Sequence, residues 1–177
     1  CMYRYCLPAW SAVKRDSAAM DAFNIREGRA VGRLIENEVE RITKRPTANW
    51  INNYEILDDR DPIVPILTLG VGTSPDALEL MTSVAKGIVI ETTGTGSVPS
   101  SMKEAIIGTA AKIPVVITTR CANGPTIAQD VYPNKWDELI QSGIHFENHL
   151  DSYKARTRLI LSISLGLEYE PFHVTPI

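Results

Sequence analysis

The chain has 177 residues, with 18 Lys and Arg against 21 Asp and Glu, a net charge of −3, and 44% hydrophobic and 22% charged residues. That is one domain to one and a half at roughly 100–200 residues each, and the hydrophobic content with so small a net charge excludes a disordered chain and a strongly basic nucleic-acid binder. No apolar run approaches the ~20 residues of a membrane-spanning helix.

Residues 1–60 lack a clear period. Tyr3, Tyr5 and Trp10 suggest a short strand at the start. Between Arg26 and Arg45, Arg29, Arg33, Arg41, Lys44 and Arg45 are interleaved with acids, the pattern of a solvated face. Val31, Leu34 and Ile35 are too few to define a core face. The region reads as a partial domain or linker with one or two short strands. Cys1 and Cys6 could pair, but the spacing does not require it. With Cys121 they read as three free thiols in a reducing compartment, which favours the cytoplasm. The chain opens at Cys1 rather than at Met, and no secretory signal peptide is present.

From Ile63 the pattern is regular. Ile63 to Leu69 is a short apolar run, predicted as a buried strand despite Pro65. Ser74-Pro75 is a helix start, and Ala77, Leu80, Met81 and Val84 predict an amphipathic helix over 76–86, ended by Gly87. Ile88-Val89-Ile90 is a second strand, followed by a glycine-rich loop from Thr92 to Val98. Ser101 and Glu104 have capping-box spacing before a helix whose face is Met102, Ala105, Ile106, Thr109 and Ala110. Pro114 to Thr118 is a third strand, and Arg120 to Pro133 a long polar loop. A short helix over 135–141 and a last helix capped by Asp151 or Ser152 and running to about Leu165 complete the chain. Apolar strands alternating with amphipathic helices predict an α/β fold, a small parallel sheet with helices on both faces. In such sheets ligands lie outside the carboxyl ends of the strands, which aligns Gly70–Ser74, Thr92–Val98 and Thr119–Asp130 on one edge.

The chemistry on that edge is sparse. Gly94-Thr95-Gly96-Ser97-Val98-Pro99 shares part of a dinucleotide fingerprint, but Pro99 stands where the third glycine belongs and no acid follows the next strand to hold a ribose. A tight strand-to-helix turn is the plainer reading. His145 and His149 are four apart with only Glu147 and Asp151 nearby, and solvated or packed histidines account for them better than a metal site. His173 reads as a surface residue. There is no G-x-S-x-G nucleophile elbow, and Cys121 reads as an idle thiol. The chain shows a ligand-facing edge and no catalytic set.

Five segments in order carry a resemblance: Asp61 to Gly70, Lys86 to Glu91, Gly94 to Pro99, Ile113 to Cys121, and Leu150 to Arg156. Together they are similar to the C-terminal domain of the bacterial-type L-asparaginase/glutaminase family. Asp21-Ala-Phe23 and Gly28 to Gly32 resemble the end of that family's N-terminal domain. The resemblance implies a flavodoxin-like C-terminal domain over 61–177, preceded over 1–60 by an incomplete N-terminal segment and linker. It implies an amidohydrolase acting on the side-chain amide of asparagine or a related amino acid. The family's threonine nucleophile and its Thr-Asp-Lys set belong to the larger N-terminal domain and have no counterpart here, so no catalytic residue is expected in this chain. A missing N-terminal half, in the same chain or a separate one, and a homo-oligomer with head-to-tail subunits are the implied partners. Nucleic acid, membrane, metal and cofactor are not expected. The family pattern of an amide or small residue, Gly and Asn falls on Thr95, Gly96 and Ser97, and Asp130 is the nearest match to an acid from the following loop. Thr95, Ser97 and Asp130 are thus the implied substrate-binding residues across a subunit interface. Hydroxyls reach less far than Asn, which leaves open a divergent member with another substrate, or a non-catalytic amino-acid-binding or assembly module.

Overall fold

The computed structural model describes residues 4–43, 47–49, 51, 62–127 and 135–175. Two units make up the chain, Cys1–Trp50 with His173–Ile177, and Ile51–Phe172. Among the described residues, the first unit contains six short strands before residue 50, where the sequence predicts one or two. These are β1 (Tyr5–Cys6), β2 (Ala12–Lys14), β3 (Phe23–Ile25), β4 (Gly32–Ile35), β5 (Glu38–Arg41) and β6 (Thr47–Ala48). β1, β4 and β5 form one antiparallel sheet, and β2 pairs with β3. Strands of two to four residues leave too little periodicity to read, which is why the sequence hid them. Their packing is thin. Among the described residues of this unit, Trp10 and Ala22 are the buried apolar ones, while Leu34, Ile35 and Val39 on the β4–β5 hairpin are exposed. Cys6 is disulfide-bonded and Cys121 is free and exposed, which corrects the expectation of three free thiols. Spacing along the chain does not report which thiols the fold brings together.

The second unit is built on β7 (Ile66–Thr68), α1 (Pro75–Thr82), β8 (Ile88–Thr92), α2 (Ser100–Ala110), β9 (Val115–Thr119), α3 (Asp137–Gln141), β10 (His145–Phe146) and α4 (Ser152–Ser164). The four strands form a parallel sheet in the order β7-β8-β9-β10. Every residue of β9 is buried, and so is every residue of β8 but Glu91, as expected for a sheet covered on both faces. Alternation divides the two faces. Ile88, Ile90, Val115 and Ile117 pack in one cluster with Leu78 of α1, Met102 and Ile106 of α2, and Leu139 of α3. Val89 and Val116 point the other way, where α4 lies against β7, β8 and β9 with Ala155 and Leu159 buried. Gly87 sits under that helix: a Cβ there would lie 3.0 Å from Ile163 Cδ1 and 3.1 Å from Leu159 Cδ2.

Four local expectations are corrected. α1 ends at Thr82 rather than Lys86, where Thr82 Oγ1 donates to Leu78 O at 2.8 Å and Ser83 Oγ to Leu80 O at 2.8 Å, side chains competing for carbonyls at the helix end. Its buried residue is Leu78, while Leu80 and Val84, placed by the sequence on the core face, are 76% and 64% exposed. α2 starts at Ser100 behind Pro99 with no side-chain cap, so the Ser101–Glu104 capping box does not form. The segment 145–149, irregular by sequence, supplies the edge strand β10. The Asp151 cap of α4 is as expected, its side chain accepting from Lys154 N at 3.0 Å. A last strand, β11 (Val174–Thr175), pairs antiparallel with β6 in the first unit, and His173 beside it is exposed.

Candidate functional site

The carboxyl ends of β8 and β9 carry the glycine-rich turn. Thr93 and Ser97 form an antiparallel bridge, with Ser97 N donating to Thr93 O at 3.1 Å, so Gly94-Thr95-Gly96 is a closed loop. Gly94 and Gly96 have φ of +53° and +69°, the left-handed region that glycine enters without steric cost. Gly96 is also cramped. A Cβ there would lie 2.7 Å from Thr126 O, 3.1 Å from Phe146 Cε1 and 3.2 Å from Trp136 Nε1.

Hydroxyls at the strand ends fix the turn from below. Thr92 Oγ1 donates to Thr118 O at 2.7 Å, and Thr119 Oγ1 donates to Gly94 O at 2.6 Å. Arg120 N donates to Thr92 O at 3.0 Å. The next loop is pinned too. Thr126 Oγ1 donates to Glu147 O at 2.6 Å, and Asn148 Oδ1 accepts from Thr126 N and Ile127 N, both at 3.1 Å.

Beside the turn lie two engaged carboxylates. Glu91 accepts from Thr68 Oγ1 at 3.0 Å and from Ser152 Oγ at 2.6 Å. Glu147 is wholly buried. Its Oε1 accepts from His149 N at 3.1 Å and Leu150 N at 3.4 Å, and its Oε2 from Tyr169 Oη at 2.9 Å and Phe172 N at 2.8 Å. Burial, then the Glu147 charge, pushes the Tyr169 phenol above its usual range, so it remains a donor. Burial holds His145 below the usual imidazole range, Glu168 opposing, which favours the neutral ring that lies tilted against Tyr169. Both carboxylates serve as structural anchors.

Of the residues singled out by sequence, Thr95 and Ser97 stand together in the turn, both half-buried. Asp130 lies outside the described residues. Ser97 has a neighbour that sequence reasoning missed: Lys135 Nζ donates to Ser97 Oγ at 3.0 Å across 38 residues. No periodicity or motif signals such a contact; only the packing of Trp136 beside Gly96 brings Lys135 there. Among the described residues no three His, Cys, Asp or Glu gather to hold a metal, and no helix is long and apolar enough to cross a membrane. A hollow of about 610 Å³ between α1 and α2, lined by residues including Leu78, Ala105, Thr109 and Ile113, contains no residue of the turn. Among the described residues, the turn presents the hydroxyls of Thr95 and Ser97, with the Lys135 ammonium against Ser97.

The family model of the Glutaminase/Asparaginase C-terminal domain matches residues 63–173. A probable L-asparaginase of Deinococcus radiodurans is 27% identical over 167 residues, which cover 92% of this chain and 49% of that protein. The thermostable L-asparaginase from Thermococcus kodakarensis has the same fold, with a TM-score of 0.76 at 23% identity over 91% of this chain and 49% of that one. A probable cytoplasmic L-asparaginase from Campylobacter jejuni superposes with a TM-score of 0.70 at 24% identity over 92% of this chain and 49% of that one. The chain thus spans about half the length of the relatives it matches.

Proposed function

This chain belongs to the glutaminase/asparaginase family through its C-terminal domain, and from that premise we propose that it is the C-terminal part of an asparaginase-like amidohydrolase. The substrate is the side-chain amide of asparagine or a related amino acid. The observation that carries the reading is the Thr93–Ser97 turn, held rigid at the carboxyl edge of the sheet with Thr95 and Ser97 in it. These two, with Asp130 from the segment outside the described residues, bind substrate across a subunit interface in a homo-oligomer. The missing N-terminal half supplies the nucleophile. Its hydroxyl attacks the amide carbon, ammonia leaves, and water resolves the acyl-enzyme. Residues 1–60 are the end of that half and the linker.

An ammonia-release assay tests this. The purified 177-residue chain is expected to release no ammonia from L-asparagine or L-glutamine, and the protein with its N-terminal half to do so. In the complete protein, Thr95→Ala and Ser97→Ala each raise KM about 3–10-fold, the worth of one hydrogen bond of ~1 kcal/mol. Turnover by the chain alone, or a KM untouched by both substitutions, rejects the reading.

A further inference from the structure

We propose that Lys135 is a specificity-determining residue of the Thr93–Ser97 turn, and that the ligand group seated against Ser97 is a carboxylate rather than an ammonium. The inference rests on the turn being the ligand-binding element of the proposed amidohydrolase.

Its basis is the direction of one hydrogen bond. Lys135 Nζ lies 3.0 Å from Ser97 Oγ. An ammonium has three donors and no acceptor, so Ser97 must accept. A serine hydroxyl has one proton and two lone pairs, and one lone pair is now committed to Lys135. The proton therefore turns away from Lys135. A charged donor also polarises the O–H it binds, which makes Ser97 a better donor and a poorer acceptor for anything else. The turn thus presents a proton backed by a positive charge. A carboxylate oxygen accepts from Ser97 and is attracted by Lys135. An ammonium would need the remaining lone pair and would sit beside a like charge.

Lys135 is held where this logic requires it. Its Nζ lies 5.0 Å from the centroid of the Trp136 ring, a cation–π contact. Trp136 is almost wholly buried in the core cluster, and its Nε1 borders Gly96. One tryptophan therefore ties the lysine to the turn, so less side-chain freedom is lost when a ligand arrives. Arginine keeps the charge and the donors; methionine keeps the stem and loses both.

The test is isothermal titration calorimetry on the full-length protein with succinate, its neutral diamide succinamide, and L-asparagine. Parent, Lys135→Met and Lys135→Arg are compared, with circular dichroism showing that each is folded. Succinate is expected to bind at least tenfold more tightly than succinamide. Lys135→Met weakens succinate and L-asparagine at least tenfold, and Lys135→Arg recovers most of that loss. In turnover the Lys135→Met effect falls on KM more than on kcat. Succinamide binding as tightly as succinate, or Lys135→Met binding like the parent, overturns the proposal. L-Asparagine binding that ignores Lys135 overturns this proposal and leaves the amidohydrolase reading standing. Lys135-dependent succinate binding without L-asparagine binding does the reverse. Binding of none of the three probes overturns both.

Discussion

Adding a single methyl group at Gly96 would ask the turn to do two things at once. The backbone would have to hold a φ of +69° with a Cβ, and that Cβ would press on Thr126 O at 2.7 Å. The contact is with a backbone oxygen that Thr126 holds in place through its own bonds to Glu147 and Asn148, so little can give. Gly96→Ala is expected to destabilise the fold by about 1–3 kcal/mol from conformation alone, with the contact adding to it. A lowered urea midpoint at unchanged slope is the readout; a midpoint equal to the parent's shows that the turn relaxes freely. Sequence exposed the glycines here, because Gly94 and Gly96 between an apolar strand and a helix advertise a special turn. It did not expose Lys135, because a contact across 38 residues leaves no trace in local order.

At the level of elements, Glu147 ties together the end of β10, the turn into α4 and the segment beyond that helix. It follows β10, its Oε1 holds the chain as it turns toward α4, and its Oε2 holds Tyr169 and Phe172 beyond that helix. A buried carboxylate is tolerable only when donors fill its lone pairs, and four do. Glu147→Gln keeps the shape but puts an NH₂ against two of those donors. The expected cost is about 1.5–3 kcal/mol, measured by chemical denaturation, with a change in the near-ultraviolet signal of Tyr169. An unfolding free energy within about 0.5 kcal/mol of the parent's would rule out the anchoring role. Element legibility followed length and burial. β8 and β9 were plain as β-branched runs between breakers, and α4 was plain from Asp151 and its spacing. The α1 face is legible only in part: Met81 packs against the core as its spacing predicts, while Leu78 takes the buried place expected of Leu80 and Val84, a choice that only packing makes. β10 escaped because two residues carry no period.

On the scale of the whole molecule the two units differ in how much they bury. The second holds a sheet with its central strands closed from solvent on both faces. The first exposes all four residues of β5 and three of β4. Hydrogen exchange should report this directly. Amides of β8 and β9 are expected to be the slowest, and those of β4 and β5 to exchange many times faster. Equal protection across the two units would contradict the assignment of the core. The α/β class of the second unit was legible because alternating strands and helices signal it over more than a hundred residues. The β character of the first was not, since its strands draw their order from pairing rather than from composition.

The order of the strands has one more consequence. From β7 to β10 the sheet advances in a single direction, and among the described residues α1, α2 and α3 share one face while α4 covers the other. Open parallel sheets form a ligand crevice where the order of strands reverses and neighbouring loops part to opposite sides. Among the described residues, the strand order of this sheet shows no such reversal. On the reading proposed above, it works as one jaw of a vice: stiff, shaped and charged, but able to grip only when another polypeptide surface closes from across the gap.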